Sequence, residues 1–182
     1  MPTDWVGWEQ EFAKEVEKPL GKAMELGAKV AQEEVPGIIV DWSLQNPEAQ
    51  KFLRNHTIKL AKQINSTTQK QLKQALLTGL KLGEGRDVLA GRVQSVLTDR
   101  TTWQARRISQ TETIRAYNQG SIQLYKEAGV EKKQWLDGQA DACPECEDLD
   151  GAIVGINDNF AGGYDGPPAH PGCRCAISGV VE

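Results

Sequence analysis

Cys143-Pro144-Glu145-Cys146 and, downstream, Pro167-Pro168-Ala169-His170-Pro171-Gly172-Cys173-Arg174-Cys175 decide how the C-terminal part of this chain folds. Glycines, prolines and acidic residues crowd around these motifs, and little apolar material is left for a core. Two residues between a pair of thiolates let both sulfurs approach one ion, a spacing common in structural zinc sites. Cys173 and Cys175 are spaced by two, which on an extended chain puts both side chains on one face. His170 precedes Cys173 by three residues and is a fifth candidate ligand. Tetrahedral zinc takes four ligands at about 2.0–2.3 Å, so two sets stand open: the four cysteines, or three cysteines with His170. Free or disulfide-paired cysteines are the competing reading. A bound metal supplies of order 10 kcal/mol in isolated zinc peptides, enough to replace the missing core, so the expected cofactor is structural zinc.

A catalytic zinc site would look different. A base deaminase needs His-x-Glu upstream of Pro-Cys-x-x-Cys with one coordination position open. Here the histidine upstream is His56, in His56-Thr57-Ile58, and Ala142 precedes Cys143. His-Glu-x-x-His is missing too. Four or five ligands in one cluster describe a closed, structural site.

Outward from the cysteines, the remainder reads as helical. Residues 4–34 form a first helical region with a break or kink expected near Lys18, because Pro19 removes a hydrogen bond from a helix interior. Trp5, Trp8 and Phe12 fall on one face of it. Asn46-Pro47-Glu48 is a helix start, with a capping amide, proline at the first position and an acid at the positive end of the dipole. Phe52, Leu53, His56, Leu60 and Ile64 follow at helical spacing, and His56 on this apolar face is expected to pack rather than ligate. Ser66 is expected to cap a further helix through Leu72, Leu76, Leu77, Leu80 and Leu82. A shorter helix covers Arg86 to Leu97. Thr98 to Ala128 reads as one long helix closed by Gly129, with Gly120 an interruption costing about 1 kcal/mol against alanine. After Gly129 the helical period gives way to short strands at Lys132–Leu136, Ala152–Ile156 and Cys175–Val181. The expected fold class is α+β: a mainly helical body over 1–129 (N-terminal helices to 45, then basic helices and the long helix), followed by a zinc-stabilised β module over 130–182.

Charge is segregated. Residues 1–50 carry four Lys/Arg against ten Asp/Glu, residues 51–110 twelve against three, and residues 111–182 five against twelve. The ends are therefore acidic, which excludes a general nucleic-acid binder, while the middle offers one positive face. Arg54, Lys59, Lys62, Lys70, Lys73, Arg106 and Arg107 are its candidates for facing phosphate or an acidic partner; pairing with the acidic ends within the fold is the plainer alternative. The first ten residues lack a basic start and apolar stretch, so no secretion is expected. No apolar run approaches the ~20 residues a bilayer requires, so no membrane partner is expected.

The run Ala105-Arg-Arg-Ile-Ser-Gln-Thr-Glu-Thr-Ile-Arg-Ala-Tyr-Asn118 resembles the helix signature of the phage head morphogenesis family, the minor head proteins similar to protein F of phage Mu. Arg107, Thr111, Glu112, Arg115 and Asn118 carry it. The match continues through Gly129-Val130, Trp135, Asp141, Cys143-x-x-Cys146, Leu149-x-Gly151, Phe160 and the Pro-Pro-x-His-Pro-x-Cys-Arg-Cys ending, over roughly residues 86–178. The resemblance implies a non-enzymatic minor component of a tailed-phage head, made in the host bacterial cytoplasm and resident in the procapsid or virion interior. It implies docking on the portal or inner capsid, with portal protein, major capsid protein or scaffold as partners, and a part in assembly or DNA packaging and delivery; packaged DNA as a further partner is an expectation from the basic stretch 51–110 alone. It implies no small-molecule substrate, and no toxin or nuclease module is expected after Cys175. Two readings from other classes compete: a zinc-dependent nuclease or hydrolase using Asp141, Glu145, Glu147, Asp148 or Asp150 as base, and a cytosolic zinc-ribbon adaptor.

Overall fold

The structure is a computed structural model that describes residues 5–37, 39–98, 101–138 and 142–181. Four long helices come first: α1 (Trp5–Glu34), α2 (Pro47–Lys81), α3 (Arg86–Thr98) and α4 (Thr101–Glu127). The C-terminal part holds β1 (Lys132–Leu136), the single-turn α5 (Pro144–Glu147), β2 (Ile153–Gly155), a 3-10 turn at Ala161–Gly163 and β3 (Ala176–Val180). The fold is α+β, mainly helical with a small antiparallel sheet of order β2-β1-β3. By compactness the chain divides into two units, Met1–Val16 with Arg54–Arg107, and Glu17–Leu53 with Ile108–Glu182.

In the first unit Trp8 and Phe12 stack at 5.1 Å between ring centroids; the Trp5 side chain, expected beside them, lies outside the described residues. Asn65 donates to the Glu9 carboxylate at 2.6 Å. Arg92 grips Glu84 through two hydrogen bonds of 2.5 and 2.6 Å, and its guanidinium holds the Glu84 carboxyl below the usual range. The second helix does not restart at Ser66, contrary to the sequence expectation: α2 runs unbroken for 35 residues. Thr67 and Thr68 donate to the carbonyls of Gln63 and Ile64 at 2.9 and 3.0 Å. These hydroxyls bond back into the helix and leave the backbone ladder intact.

The second unit holds the core that positions the C-terminal site. The Asn46 cap is as the sequence predicts, its Oδ1 accepting from the N–H groups of Glu48 and Ala49 at 2.7 and 3.2 Å. Of the break or kink expected near Lys18, the break is absent: α1 runs on through Pro19. Pro19 is exposed, so its ring meets solvent, whereas Leu20, Ala23 and Met24 beyond it are buried with Ala49, Leu53 and Ala116. Burying a leucine or methionine contributes about 1.5–3 kcal/mol, and several such residues together offset a proline penalty of about 3 kcal/mol.

Helices α1 and α4 meet backbone to backbone. A Cβ added to Gly27 would sit 2.7 Å from the Tyr117 carbonyl carbon, and one added to Gly120 would sit 2.7 Å from that of Met24. Ser121 Oγ completes the crossing by donating to the Gly27 carbonyl at 2.9 Å. Gly120 is thus required by packing, and is more than the tolerated interruption its sequence context implies. Beyond it, residues 121–125 of α4 are all buried. The helix ends in a Schellman motif, with Val130 N–H bonding the Tyr125 carbonyl at 2.9 Å and Gly129 N–H that of Lys126 at 3.2 Å; Gly129 supplies the left-handed residue at φ 75°.

The strand expectations agree with the structure. Alternation along β1 buries Lys133 and Trp135 while Lys132 and Leu136 stay exposed. Trp135 pairs with Ile177 of β3, and Lys133 with Val154 of β2 and Gly179 of β3. Trp135, Tyr125, Ile177, Phe160 and three cysteines share one core cluster.

Candidate metal centre

Cys143 and Cys146 are presented by α5. Pro144 starts this turn, and the Cys143 carbonyl accepts from the N–H groups of Cys146 and Glu147 at 2.9 and 3.0 Å. The segment then returns to β1, where Trp135 N–H bonds the Ala152 carbonyl and Gly151 N–H the Trp135 carbonyl, both at 2.9 Å. His170, Cys173 and Cys175 lie on the loop that leads into β3, with a turn closed by Cys173 N–H on the His170 carbonyl at 3.1 Å.

These elements bring all five sequence candidates together. Sγ of Cys143, Sγ of Cys146 and a His170 ring nitrogen lie within 4.8 Å of one another, as do the sulfurs of Cys146, Cys173 and Cys175. Cys146 belongs to both groups, so the five side chains form one cluster. His170 Nε2 is 3.1 Å from the Cys143 sulfur and 3.2 Å from that of Cys146, and the Cys146 and Cys173 sulfurs are 3.9 Å apart. Two thiolates on one tetrahedral zinc at about 2.3 Å stand about 3.8 Å apart. The donor set and its spacing therefore fit a thiophilic ion, and the cluster could hold one.

The electrostatics point the same way. Cys146, Cys173 and Cys175 are buried, at 3%, 1% and 2% exposure, and all four cysteines are free thiols. Burial, and then neighbouring thiols, push Cys146 well above the usual thiol range. Burial pushes Cys175 up as well. Several thiolates packed this closely require a compensating cation, and a coordinated metal deprotonates its thiols outright. A backbone donor already reaches the sulfurs: Cys175 N–H approaches the Cys173 sulfur at 3.5 Å. His170 Nδ1 lies 3.2 Å from the Pro171 carbonyl. Donation there leaves the Nε2 lone pair directed at the sulfurs, the usual arrangement of a metal-binding histidine.

Helix α4 supplies groups that the sequence marks only as residues of the family signature. Thr111 Oγ1 accepts from Gly172 N–H at 2.9 Å. Asn118 is 1% exposed; its Oδ1 accepts from Ile177 N–H at 2.9 Å and its Nδ2 donates to the Cys175 carbonyl at 3.2 Å. Glu112 and Arg115 pair at 3.5 Å, as their spacing predicts. Gln119 donates to the Asp165 carboxylate and Lys133 Nζ to the Asp165 carbonyl, both at 2.7 Å. Lys133 is buried beneath the Phe160 ring, and burial lowers its pKa. Sequence alone did not single out Lys133, although its alternation with Trp135 marks an inward position.

The basic candidates stand elsewhere. Arg54, Lys59, Lys62, Lys70 and Lys73 on α2, and Arg106 and Arg107 on α4, are exposed and belong to the first unit. Lys59 and Lys62 line an open groove of about 740 Å³ with Asn55, Ile58 and Gln63. Asp141 lies outside the described residues; Glu145, Glu147, Asp148 and Asp150 are exposed, with Glu145 accepting from the Tyr164 hydroxyl at 2.8 Å and Asp150 from Asp137 N–H at 2.9 Å. Among the described residues no helix is long and apolar enough to cross a membrane.

No curated protein and no solved structure matches the chain. The family described as phage Mu protein F like protein matches residues 70–178, a span that takes in α4, every candidate metal ligand and most of β3, and that begins earlier than the signature motifs do. With the signature helix packed on the cysteine loop and the match covering more than half of its length, the chain belongs to the phage Mu protein F-like, head morphogenesis family.

Proposed function

We propose that this protein is a non-enzymatic minor head component of a tailed phage, one that docks on the portal or inner capsid through a body whose C-terminal module is held together by one structural zinc ion. The observation that carries the reading is the convergence of Cys143, Cys146, His170, Cys173 and Cys175 within a family of head proteins. Three ligand sulfurs are buried, so the site has the closed character of a structural centre. The residues would hold zinc, which supplies cross-linking between α5 and the loop before β3 and no reaction step. A nuclease reading needs an open metal position beside a general base, and the nearby described carboxylates are exposed and partly engaged in hydrogen bonds of their own.

The partners in this reading are portal protein, major capsid protein or scaffold, with packaged DNA as a further one, and the location is the procapsid or virion interior. The first unit carries twelve Lys/Arg against seven Asp/Glu, and the second nine against eighteen. A net positive unit presenting Arg54, Lys59, Lys62, Lys70, Lys73, Arg106 and Arg107 is suited to a phosphate backbone or an acidic protein surface. Co-purification of tagged protein with portal from cells assembling procapsids tests the docking. Retention of both portal and protein is expected; free protein in procapsid-producing cells, with portal-containing particles devoid of it, would overturn the assignment.

A further inference from the structure

We infer that Asn118 and Thr111 of α4 are positioning residues for the metal loop: the signature helix holds Cys173 and Cys175 in place before an ion arrives. The inference rests on the zinc reading above and adds to it a role for a helix that carries no ligand. Thr111 and Asn118 are seven residues apart, two turns of one helix face and about 10.5 Å along the axis. At one end Thr111 Oγ1 takes the N–H of Gly172, immediately before Cys173. At the other, the Asn118 amide takes the Ile177 N–H and gives to the Cys175 carbonyl. The two side chains therefore bracket the Cys-Arg-Cys ligand pair on both sides.

The Asn118 amide acts as a short additional strand. Strand β3 pairs with β1 on one side, and Asn118 satisfies a donor and an acceptor of its other edge. Asn118 Nδ2 also donates to the Ile114 carbonyl of its own helix at 2.9 Å, which fixes the amide's orientation and so the register of the loop. A buried donor or acceptor left unsatisfied is costly, so the loop cannot leave this position cheaply even with no ion bound. Groups that orient ligands in this way typically change metal affinity by about 10- to 100-fold when removed.

The test measures zinc affinity by chelator competition and the cobalt(II) spectrum of full-length wild type, Asn118→Ala, Thr111→Val and, as a control, Leu53→Ala. Leu53 is buried in the same unit but in the other core cluster, so its loss weakens the fold without touching the loop. The expected result is about 10- to 100-fold weaker zinc binding and an altered cobalt spectrum in Asn118→Ala, a smaller change in Thr111→Val, and affinity within about twofold of wild type in Leu53→Ala. Should Asn118→Ala fail to fold, Thr111→Val, which preserves side-chain volume, carries the test. Wild type that binds zinc while both loop variants match it, or match Leu53→Ala, overturns the positioning role alone. Wild type that takes up no metal overturns the zinc reading and this inference with it.

Discussion

Replacing Gly120 with alanine inverts the usual helix rule at this site. In an exposed helix the change would stabilise by about 1 kcal/mol through propensity. Here the new methyl would sit 2.7 Å from the Met24 carbonyl carbon, against about 3.5–4.0 Å for an ordinary carbon contact. The obstacle is backbone, so α1 and α4 must separate by about 1 Å. Overpacking of this kind costs about 1–3 kcal/mol, and separation also breaks the Ser121 to Gly27 hydrogen bond, worth about 1 kcal/mol. Net of propensity, Gly120→Ala is expected to destabilise by about 1–3 kcal/mol, a melting temperature lower by about 2–12 °C at about 2–4 °C per kcal/mol for a chain of this size. Gly91 in α3 has nothing within 4 Å of its missing Cβ, so Gly91→Ala is the matched control and is expected to melt at or above wild type. Circular dichroism melts of the three proteins decide it. A Gly120→Ala protein as stable as Gly91→Ala would refute the close helix crossing.

Two further outcomes follow from other sites. Burial lowers the Lys133 pKa, so the unfolded chain binds the extra proton in the pH window just below the usual lysine value, and stability gains from this group as pH rises through that window; Lys133→Met is expected to remove that gain, seen as a wild-type-minus-variant stability difference that rises with pH through that window in urea titrations, and a pH-independent difference would contradict it. If the first unit faces DNA, retention of duplex weakens steeply with salt, and Lys59→Ala with Lys62→Ala lowers the slope of log affinity against log salt by about 2; no retention by wild type at low salt would dispose of DNA as the partner.

The C-terminal part was the most legible because its signals are chemical and local. Cysteine spacing, the turn residues and the alternation through Trp135 located the candidate ligands and the strands of the described sheet. Asn46 announced its helix by the same kind of local chemistry. Apart from Ser66, the departures share a cause: a local rule is overridden by distant contacts. Pro19 sits in a continuous helix because Leu20, Ala23 and Met24 find partners more than twenty residues away in sequence. Ser66 is passed over because neighbouring threonines return their hydroxyls to the helix. Gly120 reads as a weak point, and Asn118 as a signature residue without a stated partner, until α1 and the cysteine loop are packed against α4. The polar face of α4 has little amphipathic signature because its partners are backbone groups, which a hydrophobic period cannot register.

In the proposed reading, thiolates from two segments, with or without His170, close on one metal ion, and metal content measured together with stability addresses this directly. Elemental analysis of protein purified without chelator is expected to give one zinc per chain, and removal of that zinc is expected to lower the melting temperature and deprotect the amides of residues 142–181 to hydrogen exchange, with zinc restoring both. Protein that carries no metal and keeps the same melting temperature and exchange pattern in excess zinc as in chelator would contradict it.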